Sequence, residues 1–493
     1  MPMLLHHAEP ACALPHRKQP LGSRTGYQNI RQAQMVCGRR PQQRNVKNVY
    51  LTGGRAWFQF TLQMPLNFHT APGFETLQLH GGQHPDPNTK ARAVPIFQTA
   101  GFVFNDVEHG SNLASMKTRG YLYSRVGNPT VSVFEERMAL LEGGVDAVAA
   151  SSGQAAITLT ITAIANSGDN IVTACTYNLF KTTLQKYGIT SRFVTTYDPA
   201  DFEAQIDDKT KALYVEIITN SDGTLTDVRA MADLAHRYGI PLIVDSTFAM
   251  GGYIIKPIDH GADIVIHSAT KWLGGHGTTL GGILIDSGKF DWRKSNKFPS
   301  ITEPCISQDG TIFAEKFYPA GLAMFIRAEL LRDTGPCLSA MSAFLILQGI
   351  ETLALRADRH CANALAVAQF LSAHEHVESV CYLGLPEHPS HALALKTLRP
   401  GCFGGVITFC VKGRLQNAIK FLESLRLASH LANVGDAKTL VILPFVTVQA
   451  QLTEDERLAS GVTPGLIRLS VGIETAADII GDLAAALRIT FDA

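Results

Sequence analysis

The sequence predicts an α/β protein in which a large domain with a mainly parallel central sheet precedes a smaller C-terminal α+β domain. From about residue 145, short apolar runs alternate with helical stretches, a pattern typical of βαβ units. Polar residues directly follow three of these runs, where ligands bind in open parallel sheets. Beyond about residue 330 the alternation gives way to longer helical stretches mixed with strands, which favours a separate α+β domain.

Short β-branched or apolar runs predict strands in the first domain at 146–150, 170–174, 192–195, 212–218, 240–244 and 264–267. Helical length and composition predict helices at 154–165 and 228–238. The second domain is predicted to contain helices at 340–356, 363–372 and 415–425, and strands at 406–411 and 439–443.

The formal net charge of the 493 residues is zero, but the charge is unevenly distributed. Residues 1–63 hold nine basic residues and one acid, so this segment is +8 and the remainder is −8. An acidic body argues against nucleic-acid binding, which needs a basic face. Apolar runs are too short for a membrane span, and the 17 His form no HExxH or paired-ligand motif, so we predict no metal.

Two features bear on localisation. The nine Cys are scattered and form no CxxC pair, which indicates reduced intracellular thiols and favours a cytoplasmic protein. Residues 1–63 are Arg-rich and acid-poor, as mitochondrial transit peptides are. A disordered tail, or an upstream extension of the reading frame with Met64 as the true start, explains the same composition.

Lys271 is the leading candidate for chemistry. It follows a strand and lies between Ser268, Thr270 and the stretch Gly274-Gly275-His276-Gly277. Such a lysine could form a Schiff base with an aldehyde cofactor whose phosphate the hydroxyls bind. A lone lysine is more often a solvated surface charge, so the interpretation depends on its neighbours.

Two other strand ends supply those neighbours. Asp245 could keep a pyridinium nitrogen protonated, although such a residue on its own is more often a strand-end or helix-cap residue. Ser152-Gly153-Gln154 opens a helix after a strand, where free N–H groups and the helix dipole favour a phosphate. A simple tight turn is the alternative there.

Ser268-Ala-Thr-Lys271 with its glycine-rich continuation resembles the pyridoxal-phosphate signature of the Cys/Met metabolism enzymes, also called the trans-sulfuration family. Other stretches agree, among them Tyr123-Ser-Arg-Val-Gly-Asn-Pro-Thr130, Val244-Asp-Ser-Thr-Phe248 and Ile467-Arg-Leu-Ser-Val-Gly-Ile-Glu474. The resemblance covers roughly residues 74–493. The sequences after His276 and from Asn433 to Leu440 are most similar to the O-acetylhomoserine sulfhydrylase branch.

The resemblance implies an aspartate-aminotransferase-like (fold type I) large domain. It also implies a domain order of a basic extension (1–63), an arm that contacts a neighbouring subunit (64–130), a large pyridoxal-phosphate domain (131–335) and a small domain (336–493). The protein would be a homodimer or homotetramer with shared active sites. No nucleic-acid or membrane partner is expected.

The family's site residues can be carried over one by one. Lys271 would bind pyridoxal 5'-phosphate covalently and then move protons, with Tyr123 as the other catalytic residue. Asp245 would pair with the ring nitrogen. The other implied cofactor contacts are Ser152, Gly153, Gln154, Asn220, Ser268 and Thr270, with Tyr123 and Arg125 supplied by a neighbouring subunit. Arg468 and Asn433 would bind the substrate's α-carboxylate.

Several positions depart from the family pattern. The segment 172–178 is several residues short, and Tyr177 does not align with the aromatic residue that usually stacks on the cofactor. Asn220-Ser221 replaces Asn-Pro, Asp245-Ser246-Thr247 replaces Asp-Asn-Thr, and Thr447-Val448-Gln449 replaces Thr-Thr-His.

The resulting functional prediction is a γ-replacement on O-acetyl-L-homoserine, in which sulfide or another nucleophile displaces acetate. Elimination by a cystathionine or methionine γ-lyase would use the same residues and is the nearest alternative. The short 172–178 segment motivates an alternative of another class, a catalytically impaired family member that serves as a partner subunit.

Overall fold

The computed structural model describes residues 71–174, 178–450, 453–454, 457 and 461–492. The predictions made for residues 1–63, for Met64 and for Tyr177 lie outside the described residues. The proposed arm 64–130 is described from residue 71 onward.

A seven-stranded sheet forms the centre of the large domain. Its strands are β1 (Asp146–Ala150), β2 (Asn170–Thr173), β3 (Thr190–Phe193), β4 (Thr210–Glu216), β5 (Leu242–Asp245), β6 (Ile264–Ser268) and β7 (Gly282–Asp286). The spatial order is β1-β7-β6-β5-β4-β2-β3. Strand β7 is antiparallel to both of its neighbours, whereas β6, β5, β4, β2 and β3 pair in parallel. The sheet is therefore mainly parallel, as predicted.

The strands are apolar along their whole length because both faces of the sheet are covered. Neighbouring residues enter different cores, so Leu213 packs into one apolar cluster and Tyr214 into the other. The helix Gly153–Ile164 packs against β6 and β7 on one face, and the helix Val228–Arg237 contributes to the core on the opposite face. This arrangement holds the strand ends rigidly.

The smaller sheet contains β8 (Val377–Cys381), β9 (Val406–Val411), β10 (Ser429–His430), β11 (Leu440–Ile442) and β12 (Leu466–Ser470). Its order is β10-β11-β12-β9-β8, and only the β10–β11 pair is parallel. Residues of the helices Leu353–Ser372, Arg414–Ser424 and Ala476–Phe491 share one apolar core with this sheet. The α+β class predicted for this part of the chain is confirmed.

The remaining α-helical segments are Phe74–His80, Val107–Ala114, Pro129–Glu142, Pro199–Glu203, Pro299–Thr302, Phe313–Lys316, Gly321–Phe325, Arg332–Thr334, Ala340–Ile350 and His391–Thr397. π-Helical turns occupy Leu179–Thr183 and Ile326–Leu331. Among the described residues, no single helix is long and apolar enough to cross a membrane. One bent pair of helices, Ala340–Ile350 with Leu353–Ser372, has the length and composition of a membrane span, but only by these two criteria.

Pro129–Glu142 shows how local sequence sets a helix boundary. The Asn128 side chain accepts a hydrogen bond from the Thr130 N–H, and Pro129 occupies the first turn, where no N–H partner is needed. Gly143 ends the helix at a positive φ of 82°, which glycine adopts without steric cost.

Several predicted boundaries differ from the structure. The strands expected at 212–218 and 240–244 are Thr210–Glu216 and Leu242–Asp245. The strand expected at 192–195 is Thr190–Phe193, and the single helix expected at 340–356 is two helices, Ala340–Ile350 and Leu353–Ser372, bent by 61°. The helix Leu353–Ser372 includes the residues 363–372 that were predicted as a separate helix. Close packing accompanies the bend, because a Cβ on Gly349, just before it, would lie 2.2 Å from the Gly274 carbonyl oxygen.

Candidate active site

The predicted polar clusters meet at one edge of the large sheet. Strand β1 runs in the same direction as β6, because both are antiparallel to β7. The carboxyl ends of β1, β5 and β6 therefore lie at the same edge of the sheet. Ser152 follows β1, Asp245 ends β5 and Lys271 follows β6, so all three residues lie at this edge. The expectation that these polar residues lie at the carboxyl ends of strands is confirmed.

Lys271 is half-buried between the two domains. Its Nζ donates a hydrogen bond of 2.6 Å to Asn433 Oδ1, from the loop that precedes β11. Burial, and next the charge of Arg468, lower the pKa of the Lys271 amine. A lower pKa increases the neutral fraction of the amine, which is the form that attacks an aldehyde.

Asp245 is fixed by three donors. The N–H and hydroxyl of Thr247 bond to its Oδ1 at 3.0 and 2.6 Å, and the Tyr214 hydroxyl donates to its Oδ2 at 3.2 Å. The Ser268 N–H in turn donates to the Thr247 hydroxyl at 2.9 Å. The carboxylate that would face a pyridine nitrogen is thus tied to the segment that carries Lys271.

Tyr214 and Thr247 were not singled out from the sequence. Thr247 stands two residues after Asp245, a spacing that permits a side chain to cap a strand-end carboxylate. Tyr214 is fully buried on the neighbouring strand β4, and only strand pairing reveals that it reaches Asp245. Ser246, between Asp245 and Thr247, is buried, and its hydroxyl has no hydrogen-bond partner among the described residues.

A helix N-terminus lies beside Ser268. Ser152 caps the helix Gly153–Ile164 by accepting from the Ala155 N–H at 3.2 Å. A Cβ on Gly153 would come within 2.8 Å of the Ser268 Cβ, so only glycine permits this approach. The first N–H groups of a helix have no intrahelical acceptor, and those of Gly153 and Gln154 are placed to bind a phosphate near Ser268.

Thr270 differs from the other predicted phosphate ligands. Its hydroxyl accepts a hydrogen bond from the Gly281 N–H at 3.1 Å and lies 3.3 Å from the Gly281 carbonyl oxygen. The structure therefore shows this hydroxyl engaged with the glycine that precedes β7. Its predicted phosphate contact stays a prediction.

Arg468 lies on β12, between β9 and β11. Its side chain is buried, and its Nη1 donates to Asn220 Oδ1 at 2.6 Å. Burial lowers the pKa of the guanidinium to about 10. Among the described residues no carboxylate forms an ion pair with Arg468, so its charge is available to an anionic ligand.

Tyr123 and Arg125 lie in the predicted arm. The Arg125 guanidinium carbon is 5.2 Å from the centre of the Tyr123 ring, and Tyr123 is partly exposed. No contact recorded for the described part of the chain joins either residue to Lys271, Asp245 or Ser268. Their predicted role at a neighbouring subunit's phosphate stays a prediction.

The arrangement fits pyridoxal phosphate. The Lys271 amine has a lowered pKa, and three donors hold the Asp245 carboxylate. At the N-terminus of the neighbouring helix, Gly153 packs so closely against Ser268 that there is no room for a side chain. The site would present two cations to an amino acid. Arg468 donates to Asn220, and Lys271 donates to Asn433. Within the described residues, no group of His, Cys, Asp or Glu side chains is arranged to hold a metal ion.

Comparison with known proteins gives a consistent result. Residues 75–488 match the family described as Cys/Met metabolism PLP-dependent enzyme. The chain is 51% identical to a homocysteine synthase of Schizosaccharomyces pombe over 422 residues, which cover 84% of this chain and 98% of that protein. It is 45% identical to an O-acetyl-L-homoserine sulfhydrylase of Leptospira meyeri, with 86% and 98% covered.

A solved structure is similar over most of the chain. It is the crystal structure of a Campylobacter jejuni protein described as an O-acetylhomoserine (thiol)-lyase, with a TM-score of 0.82 and 32% identity. The similarity covers 85% of this chain and all of that one, and that protein carries N'-pyridoxyl-lysine-5'-monophosphate.

Proposed function

The chain belongs to the Cys/Met metabolism family of pyridoxal-phosphate-dependent enzymes, and from this premise we propose that it replaces the γ-acetate of O-acetyl-L-homoserine with a nucleophile, sulfide in the first instance. Sulfide and the substrate would give homocysteine and acetate. The relatives named homocysteine synthase and O-acetyl-L-homoserine sulfhydrylase support this reaction. The observation that carries the proposal is the buried guanidinium of Arg468, which has no carboxylate partner among the described residues and whose charge acts on Lys271.

Bound pyridoxal phosphate would supply the electron sink that makes the α and β protons of the amino acid removable. Lys271 would take these protons and return them, and the lowered pKa of its amine increases the fraction present as the free base. Arg468 would orient the substrate by its α-carboxylate in a bidentate fork. Asp245, held by Thr247 and Tyr214, would keep a negative charge against the ring nitrogen.

The test begins with the colour and cofactor content of the purified protein. A yellow protein is incubated with O-acetyl-L-homoserine and sulfide, and separately with cystathionine or methionine. Homocysteine from the first mixture supports the proposal. Absence of homocysteine, together with 2-oxobutyrate from the second mixture, would assign a γ-lyase instead. A colourless protein that takes up no pyridoxal phosphate would indicate an impaired partner subunit.

We further propose a homodimer or homotetramer with shared active sites. Exposed apolar side chains in the predicted arm support it, since Val103 and Val107 are 97% and 90% exposed and Phe104 lies between them. Mixing Arg125→Ala with Lys271→Ala subunits tests it. Activity in the mixture, with neither variant active alone, supports shared sites, whereas a monomer in light scattering contradicts them.

For localisation we propose the cytoplasm. The described cysteines Cys305, Cys337, Cys361, Cys381, Cys402 and Cys410 are free thiols, which suits a reducing compartment. Fusing residues 1–63 to a fluorescent reporter tests the proposal, because import of the reporter into mitochondria would contradict it.

A further inference from the structure

Glu216 lies at the site without a role in the chemistry described above. It is the last residue of β4 and is paired with Asp245, the last residue of β5. Side chains at paired positions of neighbouring strands lie on the same face of a sheet. The carboxyl of Glu216 therefore stands beside the carboxylate proposed to face the cofactor ring.

Hydrogen bonds connect Glu216 to the other end of the site. Its Oε2 accepts from the Asn220 N–H at 3.1 Å. The side chain of the same Asn220 accepts from Arg468 at 2.6 Å. The strand end itself is fixed, because the Thr226 hydroxyl donates to the Glu216 carbonyl oxygen at 2.6 Å. Hydrogen bonds thus link Glu216 through Asn220 to the guanidinium, and strand pairing places Asp245 beside Glu216.

The charges around Glu216 favour its neutral form. Two carboxylates act on Glu216, those of Asp245 on β5 and of Asp222 in the loop after β4. The cation of Arg468 is linked to Glu216 through Asn220. Burial, then the negative charge of Asp245, raise the pKa of Glu216 to about 8, and the Asn220 N–H opposes this rise. A neutral carboxyl still accepts that hydrogen bond.

We propose that Glu216 is a positioning residue that holds Asn220 against Arg468 and thereby sets the affinity of the site for the α-carboxylate of an amino acid. The inference rests on the proposed function, because it takes that carboxylate to bind at Arg468. In this proposal Glu216 acts through Asn220, from whose N–H it accepts a hydrogen bond.

The test uses the full-length holoenzyme and L-norleucine, an amino acid without a γ-leaving group. Binding is followed as a change in the absorbance of the bound cofactor. Glu216→Ala removes the acceptor for Asn220, and we expect norleucine affinity to fall about tenfold or more. Glu216→Gln keeps a neutral acceptor and should bind within about threefold of the wild type. With O-acetyl-L-homoserine, Glu216→Ala should raise KM more than it lowers kcat.

Asp286→Asn is the matched control. Asp286 is also a buried carboxyl, and burial raises its pKa to about 7. It lies at the opposite edge of the same sheet, paired with Asp146 and Ile264. Norleucine affinity in this variant should equal that of the wild type.

A pH series separates positioning from simple packing. As the pH rises past about 8, Glu216 ionises and adds a negative charge beside a site for an anion, so norleucine affinity should fall in the wild type and in Asp286→Asn. The fall attributable to Glu216 should be absent from Glu216→Gln. This comparison also decides the matter if Glu216→Ala does not fold.

Two results would overturn the inference. One is equal norleucine affinity in Glu216→Ala and the wild type. The other is a Glu216→Gln pH profile that coincides with the wild-type profile. If wild-type holoenzyme shows no absorbance response to any amino acid, the proposed function fails instead, so the two failures are distinguishable.

Discussion

At the scale of single residues, the site depends on two cations with different tasks. Lys271 is half-buried with a lowered pKa, which suits an amine that must be neutral for part of the cycle. Arg468 is buried and keeps its charge, because even a pKa of about 10 lies far above neutral pH. Asparagine side chains contact both cations without neutralising them.

Lys271→Ala should abolish the yellow colour and lower the rate of homocysteine formation by at least roughly a thousandfold, because the variant lacks both the covalent link to the cofactor and the proton carrier. Absorbance spectra and a coupled homocysteine assay measure the two effects. Lys209→Ala, at an exposed position, is the control. A Lys271→Ala protein with the wild-type spectrum would contradict the assignment.

Arg468→Lys should raise KM for O-acetyl-L-homoserine roughly 10- to 100-fold, with a smaller effect on kcat. Lysine keeps the charge but cannot form the two parallel hydrogen bonds of a guanidinium with a carboxylate. Steady-state kinetics provide the measurement. An unchanged KM would show that the substrate's carboxylate binds elsewhere.

At the scale of elements, composition predicts the short strands of the large sheet because both of its faces are buried, and Asp146–Ala150 has the predicted bounds. Val406–Val411, in the smaller sheet, has them too. The helix break after Ile350 could not be predicted, because no proline marks it. Tertiary contacts flank it: Gly349 packs against the Gly274 carbonyl, and Arg356 donates to the carbonyl oxygens of Trp272 and Gly349 at 2.8 and 2.7 Å.

Gly153→Ala should lower the affinity of the apoprotein for pyridoxal phosphate by about tenfold or more. The new Cβ would lie 2.8 Å from the Ser268 Cβ and 3.0 Å from its Cα, so the helix start must move away from the phosphate site. Titration of apoprotein with the cofactor, followed by absorbance, measures the change.

Gly481→Ala is the control for that substitution. Gly481 lies in the helix Ala476–Phe491, and a methyl group at this position would have no heavy atom within 4 Å among the described residues. Alanine there should leave cofactor affinity unchanged and stabilise the protein by ~0.5–1 kcal/mol. Equal cofactor affinity in both glycine variants would argue against a phosphate site at the Gly153 helix.

At the scale of the whole molecule, the site exists only where the two sheets meet. Lys271 and Asn433 are 162 residues apart, and Asn220 and Arg468 are 248 apart. Each pair joins a strand end of the large sheet to the smaller domain. If the substrate binds at Arg468 as proposed, its binding would be coupled to the packing of the two domains.

Acid should destabilise the protein through His360. This residue is fully buried on the helix Leu353–Ser372, with its Nδ1 2.6 Å from the Val471 carbonyl oxygen. Burial lowers its pKa from 6.5 to about 4. The unfolded chain takes up the proton first, so stability contributed by neutral His360 is present above pH 6.5 and is lost as the pH falls towards 4.

Thermal denaturation between about pH 7 and about pH 4 measures this loss. We expect a shallower decline of Tm with acid in His360→Asn than in the wild type, although its Tm at neutral pH should be lower. Parallel declines in the two proteins would show that other groups govern acid stability.

The sequence by itself determined the fold class, the family and the residues at the strand ends, because apolar runs and contiguous motifs are local properties of the chain. It also predicted that Lys271, Asp245 and the Gly153 helix start follow strand ends, where ligands bind in parallel sheets. Only the tertiary structure decided that Tyr214 and Thr247 hold Asp245, that Glu216 stands beside it, and that Asn433 and Asn220 contact the two cations. Those contacts depend on strand register and domain packing, which join residues that no local pattern connects.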